Sequence, residues 1–317
     1  MQSKRLLLLS LALACGGGGS TTPTPDVPTG PTQPTVFVPG TSYFGANDYV
    51  EYIAGNMPLI FSAPHGGSLQ PSTIPSRTAA ACGGEATTVA DANTEDLARR
   101  IQAEFFARHG KYPHIIINRL HRSRLDANRE IGEGACGNSQ AQKAWTEYHE
   151  FIEIAKARIT ADFPRGWYTD LHGHGHAIAR LELGYDLSAD VLRLSDATLD
   201  AASTFENASS IRAFSADSPL SFSALLRGST SLGTLLVGAG YPSVPSAQDA
   251  APQEGDAYFN GGYSTERHSC KSTGSVCGVQ IEANFAGVRD TPEHRAAFAS
   301  AIATVYAAYL APFGVAF

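Results

Sequence analysis

Apolar positions along the chain fall into short blocks separated by longer periodic stretches. Leu59-Ile-Phe-Ser-Ala63 is bounded by Pro58 and Pro64 and predicts a buried strand. From Thr94 to His109, Leu97, Ile101, Phe105 and Phe106 recur at helical spacing, and Gly110 supplies a C-cap. His114-Ile-Ile-Ile-Asn118 predicts a second buried strand. Ala141 to Phe163, with aromatics at 145, 148 and 151, predicts a long helix. Tyr168 to His172 and Gly278 to Glu282 predict two more strands, and Glu293 to Leu310 a terminal Ala-rich helix. Strands alternating with helices indicate an α/β layered fold with a mostly parallel sheet. Functional groups in such sheets gather at the carboxyl ends of the strands.

Chemistry-bearing residues sit at those ends. Tyr168-Thr-Asp-Leu-His-Gly-His-Gly-His176 places Asp170 and three histidines within seven residues. Period-two alternation points Asp170 and His172 the same way, and the glycines at 173 and 175 permit a sharp turn. Imidazole is the commonest protein metal ligand near neutral pH, although a His-rich run can also be an incidental surface tract. His65 ends the first strand, in Pro64-His-Gly-Gly67, and reads either as a metal ligand or as part of a plain turn. Asp91 opens the Thr94 helix, where it can cap the helix or supply a carboxylate; Glu95 lies one turn on.

Asn118 to Glu130 packs four arginines into eleven residues of an otherwise acidic chain. A guanidinium fork binds carboxylates bidentately, so this run reads as an anion clamp or as a salt-bridged loop. Gln280 and Glu282 share one strand face, where a carboxylate can serve as a general base. Asn260-Gly-Gly-Tyr263 reads as a loop whose Tyr263 can donate to an oxyanion or simply pack.

Composition narrows the class. The 317 residues are 43% hydrophobic with a formal net charge of -7. That length buries a large core, and an acidic balance argues against a nucleic-acid partner. No internal apolar run reads as a bilayer span. Lys4-Arg5 followed by Leu6 to Ala14 and then Cys15 resembles a lipoprotein signal peptide over residues 1–15, so a lipid anchor is the expected membrane link to a bacterial cell envelope, with plain secretion as the alternative. Residues 16–40, rich in Gly, Pro and Thr, read as a flexible tether, with one folded domain over 41–317. Setting Cys15 aside leaves Cys82, Cys136, Cys270 and Cys277. An even count in an exported chain suggests two disulfides. Cys270–Cys277 with Cys82–Cys136 is the preferred of the three possible pairings.

Together, Ser62-Ala-Pro-His-Gly-Gly67, Asp91-x-x-Thr94, Arg124-x-Asp126-x-Asn128-Arg129, Asp170-Leu-His172, Asn260-Gly-Gly-Tyr263 and Gln280-Ile-Glu282 resemble, in order, the motifs of the N-formylglutamate amidohydrolase family. The resemblance implies a zinc carboxypeptidase-like fold, three-layer α/β/α with a mixed, mostly parallel central sheet. It implies one zinc ion held by His65, His172 and Asp91, with Glu95 as the alternative carboxylate. It also implies Glu282 as general base and Arg124, Asn128, Arg129 and Tyr263 against a substrate. The expected reaction is hydrolysis of an amide bond in an N-acyl amino acid or peptide bearing a free carboxylate. The alternative is a non-catalytic exported lipoprotein that binds a metal or a carboxylate ligand. No G-x-S-x-G elbow supports a serine hydrolase.

Overall fold

The computed structural model describes residues 36–317. Eight strands form one sheet: β1 (Ser42–Phe44), β2 (Val50–Ile53), β3 (Leu59–Ala63), β4 (His114–Asn118), β5 (Gly166–His174), β6 (Leu181–Gly184), β7 (Ser243–Val244) and β8 (Val276–Asn284). Their order is β1-β2-β4-β3-β5-β8-β6-β7. The central strands β4, β3, β5 and β8 run parallel. Antiparallel pairings of β2 with β4, β1 with β2, and β6 with β8 make the sheet mixed.

Helices cover both faces. Thr94–His109 and Pro292–Leu310 bury Leu97, Ile101, Phe105, Phe298, Ile302 and Tyr306 against one face, where Phe61, Ile115, Ile117 and Ile281 point. Ser139–Asp162 lies on the other face, with Tyr148, Phe151 and Ile152 packed among Tyr52, Ile60, Ile116 and Tyr168. The terminal helix is long and apolar enough to cross a membrane by composition, which the sequence reading did not foresee. Here it is a core helix, its apolar residues packed against the sheet.

Strand alternation fixes where polar groups go. On the face of the Ser139–Asp162 helix, the apolar cluster includes Ile60, Tyr168 and Val276. Two or more residues further along the same strands, that face carries the buried polar groups Ser62, Asp170, His172, Gln280 and Glu282. The buried polar groups therefore gather at the carboxyl-terminal part of one sheet face, beyond the reach of the apolar core.

Two expectations are corrected and one holds. The ordered fold starts before Thr41, because Phe37 is buried against Tyr43 and Tyr52. The expected tether thus gives up Phe37 to the core; residues 16–35 of it, and the Cys15 segment, lie outside the described residues. Gly173 makes no turn, since β5 runs through it to His174. A Cβ there would collide with the Arg289 guanidinium, so this glycine permits close approach instead. Both disulfides, Cys82–Cys136 and Cys270–Cys277, pair as preferred.

Candidate metal centre and cleft

His65 follows β3 and Asp91 precedes the Thr94–His109 helix, whereas His172 lies within β5. Gly67 brings the β3 loop against the Arg119 backbone, where no side chain would fit. Asp91 is not the helix cap: Asn93 holds that position in a left-handed conformation, while the Asp91 carbonyl accepts from Thr94. The Asp91 carboxylate is thus available to the cleft. Its Oδ2 lies 3.3 Å from His65 Nδ1 and 3.2 Å from His172 Nδ1. All three groups are buried, and their ligand atoms fall within 4.8 Å of one another. Glu95, the alternative carboxylate, pairs with Arg99 at 2.9 Å instead.

Each imidazole is oriented from behind by a second buried carboxylate. His65 Nε2 lies 2.7 Å from Asp126 Oδ1, and His172 Nε2 lies 2.8 Å from Asp170 Oδ2. A carboxylate facing Nε2 requires a proton on that nitrogen, so the neutral ring presents a lone pair at Nδ1. Two lone pairs and a carboxylate oxygen then face one point. That arrangement is repulsive unless a proton or cation occupies the point, so the residues fit a divalent metal ion. Asp126 is itself held by Arg122 Nε at 3.0 Å and flanked by Arg77 at 3.6 Å. The Cys82–Cys136 bridge fastens the segments carrying these groups. Asp170 accepts from Ser62 Oγ at 2.7 Å.

Titration follows this geometry. Burial raises the Asp91 carboxyl, but the His65 and His172 partners outweigh it and hold the pKa well below the usual carboxylate range. Burial lowers His172, but Asp170 and Asp91 outweigh that and push it well above an ordinary imidazole. Burial raises Asp126 as well, and His65, Arg122 and Arg77 reverse the shift. The pocket thus favours positive charge between its carboxylates.

Glu282 stands opposite His172 in the β5–β8 register, its Oε1 4.0 Å from His172 Nδ1. Gln280 Nε2 donates to it at 3.0 Å. Burial pushes Glu282 up to about 8; nearby His172 opposes this and Asp91 adds to it. His65, Asp91, Arg122, Asn128, Arg129, His172, Tyr263, Gln280 and Glu282 all border one cleft of about 110 Å³. Roomier surface hollows exist, one of about 540 Å³ beside Trp145 and Arg267. The convergent metal-type ligands, however, lie in the smaller cleft.

The arginine-rich run divides. Arg129 is exposed at the cleft, with no ion pair among the described residues. Arg124, expected beside it, turns away: its Nη1 donates to the Ile74 carbonyl at 2.9 Å and its Nη2 faces Gln70. The chain turns after β4 through His121–Arg124, which points Arg122 inward and Arg124 toward the neighbouring loop. Asn128 borders the cleft, but its Oδ1 accepts from Ser264 N at 2.7 Å and so fastens the Tyr263–His268 helix. Tyr263 also borders the cleft, its hydroxyl accepting from Arg267 at 2.7 Å. Sequence reasoning missed Arg122 and Arg289. The latter is buried behind Gly173, donating to the carbonyls of Ala283 and His174. Nothing local to Arg289 signals that role.

The layered α/β fold has solved counterparts. It is similar to N-formylglutamate amidohydrolase from Ralstonia eutropha JMP134, with 13% identity and a TM-score of 0.47, covering 83% of this chain and 95% of that one. A gene product from Agrobacterium tumefaciens gives the same identity and score, over 84% and 96%. An N-acetylmuramyl-L-alanine amidase from Mycobacterium abscessus gives 12% and 0.38, over 80% and 98%. No family model matches the sequence, and no curated protein is significantly similar to it. The chemistry of the cleft rests on its own side chains.

Proposed function

We propose that the chain is a zinc-dependent hydrolase that cleaves an amide bond in an N-acyl amino acid or peptide bearing a free carboxylate. One observation carries this reading. His65 Nδ1, His172 Nδ1 and Asp91 Oδ2 converge, with both imidazoles oriented by buried carboxylates and a further carboxylate, Glu282, beside them. Three ligands leave an open position, as catalytic zinc sites require. A zinc ion held there supplies Lewis-acid polarisation of the carbonyl, acidifies water, and favours the ionised form of Glu282.

The chain's own groups do the rest. Glu282 takes a proton from water as its oxygen adds to the amide carbon. It returns that proton to the nitrogen as the C–N bond breaks, releasing a carboxylic acid and an amine. Arg129 pairs with the substrate carboxylate. Tyr263 can donate a hydrogen bond from its hydroxyl to the carbonyl oxygen, and Asn128 keeps the Tyr263 helix in place. The paired cysteines support an oxidising compartment, and a lipid-anchored envelope protein is the reading of the N-terminal segment.

Turnover of a panel of N-formyl and N-acetyl amino acids by the purified full chain tests the proposal. Activity should vanish with a chelator, return with Zn²⁺, and be absent from His65→Ala and His172→Ala. Chelator-resistant turnover, or no turnover across the panel, counts against it.

A further inference from the structure

A second set of ligand-type side chains converges beyond Glu282. His174 ends β5, His176 follows in the next turn, and Glu182 on β6 pairs in register with Glu282 on β8. Their ligand atoms also lie within 4.8 Å of one another. Glu182 Oε1 is 2.8 Å from His176 Nδ1 and 4.0 Å from His174 Nδ1. None of the three has a role in the hydrolysis proposed above.

The outer atoms of this set are already engaged. His174 Nε2 donates to the Arg180 carbonyl at 2.8 Å, which fixes the tautomer with its lone pair on Nδ1. Glu182 Oε2 accepts from the Phe259 N–H at 2.8 Å, leaving Oε1 for the cluster. His174 and Glu182 are buried and His176 is partly exposed, so the open side of the cluster lies at His176. His174 Nδ1 at present accepts from the His176 N–H at 3.1 Å, a contact that must yield on loading. Gly175 between them has open space around it, so the backbone can make that adjustment.

We propose that His174, His176 and Glu182 form a second metal site, distinct from the cleft, that takes a divalent transition-metal ion. Two imidazoles and a carboxylate suit zinc and its neighbours in the first row. The site acts as a clip. It joins the end of β5 to β6. Through the Glu182–Phe259 bond and the stacking of His176 on Phe259, with ring centroids 4.6 Å apart, it also holds the segment that borders the cleft from Phe259 to Tyr263.

Metal content decides the matter. The full chain is stripped with a chelator, reloaded with Zn²⁺ and desalted, and zinc per chain is measured. Two ions should be bound by the wild type, one by His176→Ala, one by His172→Ala and none by the double variant. Glu182→Gln, which keeps the side-chain shape, should match His176→Ala and guards against a folding artefact. A wild type that holds one ion, unchanged in His176→Ala, overturns the second site. One ion that is lost in His176→Ala but kept in His172→Ala supports the second site and sinks the reading of the first.

Discussion

The carboxyl end of β5 carries two histidine–carboxylate clusters, and their differences separate binding from chemistry. In the first, both imidazoles are backed by buried carboxylates, Asp126 and Asp170. In the second, His174 is backed by a neutral carbonyl. A carboxylate raises the basicity of a ligand imidazole more than a carbonyl does. The first cluster also has Glu282 as an extra carboxylate and Arg129 at its cleft. In the second, the single carboxylate, Glu182, is already paired with His176 and Phe259. A group that must accept and return a proton cannot at the same time be tied down as a ligand. By this comparison the first cluster is the one suited to the proposed turnover, and the second is suited to holding the proposed ion.

Glu282→Gln tests that contrast most severely. Loss of a positioned general base costs about 10²- to 10⁴-fold in rate, so kcat should fall by that much while zinc at the first cluster is retained. Unchanged kcat removes Glu282 from the mechanism and leaves the two clusters alike. The same variant has a pH signature in the stripped protein. Glu282 has a folded pKa of about 8 against 4.5 for an ordinary glutamate, so its raised value favours the fold below about 4.5. That contribution is lost as pH rises toward about 8. Thermal melts of stripped wild type should therefore lose stability across this window, and Glu282→Gln should lose less.

Asp170→Asn comes next in size. Removing a carboxylate behind a metal-bound imidazole typically costs about 10- to 100-fold in metal affinity. Competition with a chromophoric chelator should show that loss at the first cluster and none at the second. Equal weakening of both would mean that Asp170 supports the strand rather than the ligand, because Ser62 and Tyr168 join it in one buried hydrogen-bonded group.

Much of this arrangement is legible in the chain, for physical reasons. The strands β3 and β4 are apolar runs beside prolines, and alternation along β5 and β8 aims Asp170, His172, Gln280 and Glu282 at one face. The strands toward the sheet edges were harder to see. Ser42–Phe44 and Ser243–Val244 are too short to show a period, and Val50–Ile53 carries Glu51 inside a buried run. The short helices between 189 and 238 went unread, although Ser188, Ser195, Ser221 and Ser231 each cap one through its hydroxyl. Asp126 behind His65 depends on two loops meeting across 61 residues of sequence. Arg289 meets His174 across 115. Such pairings are set by topology, which local pattern does not contain.

The arginines give the smallest effect and the sharpest control. A single loop carries Arg124 and Arg129, equal in charge, yet only Arg129 borders the cleft of the first cluster. A charge-assisted hydrogen bond to a substrate carboxylate contributes about 1.5–3 kcal/mol, or roughly 10- to 100-fold. Exposure to water places Arg129 at the lower end, so Arg129→Ala should raise KM about tenfold for substrates with a free carboxylate. It should do much less for the corresponding amides, whose neutral end offers no ion pair. Arg124→Ala should leave both within about twofold, because surface changes away from a site seldom exceed ±0.5 kcal/mol. If the two variants behave alike, the loop acts through its overall charge. The anchoring role then passes to Arg122, the arginine that faces both Asp91 and Asp126.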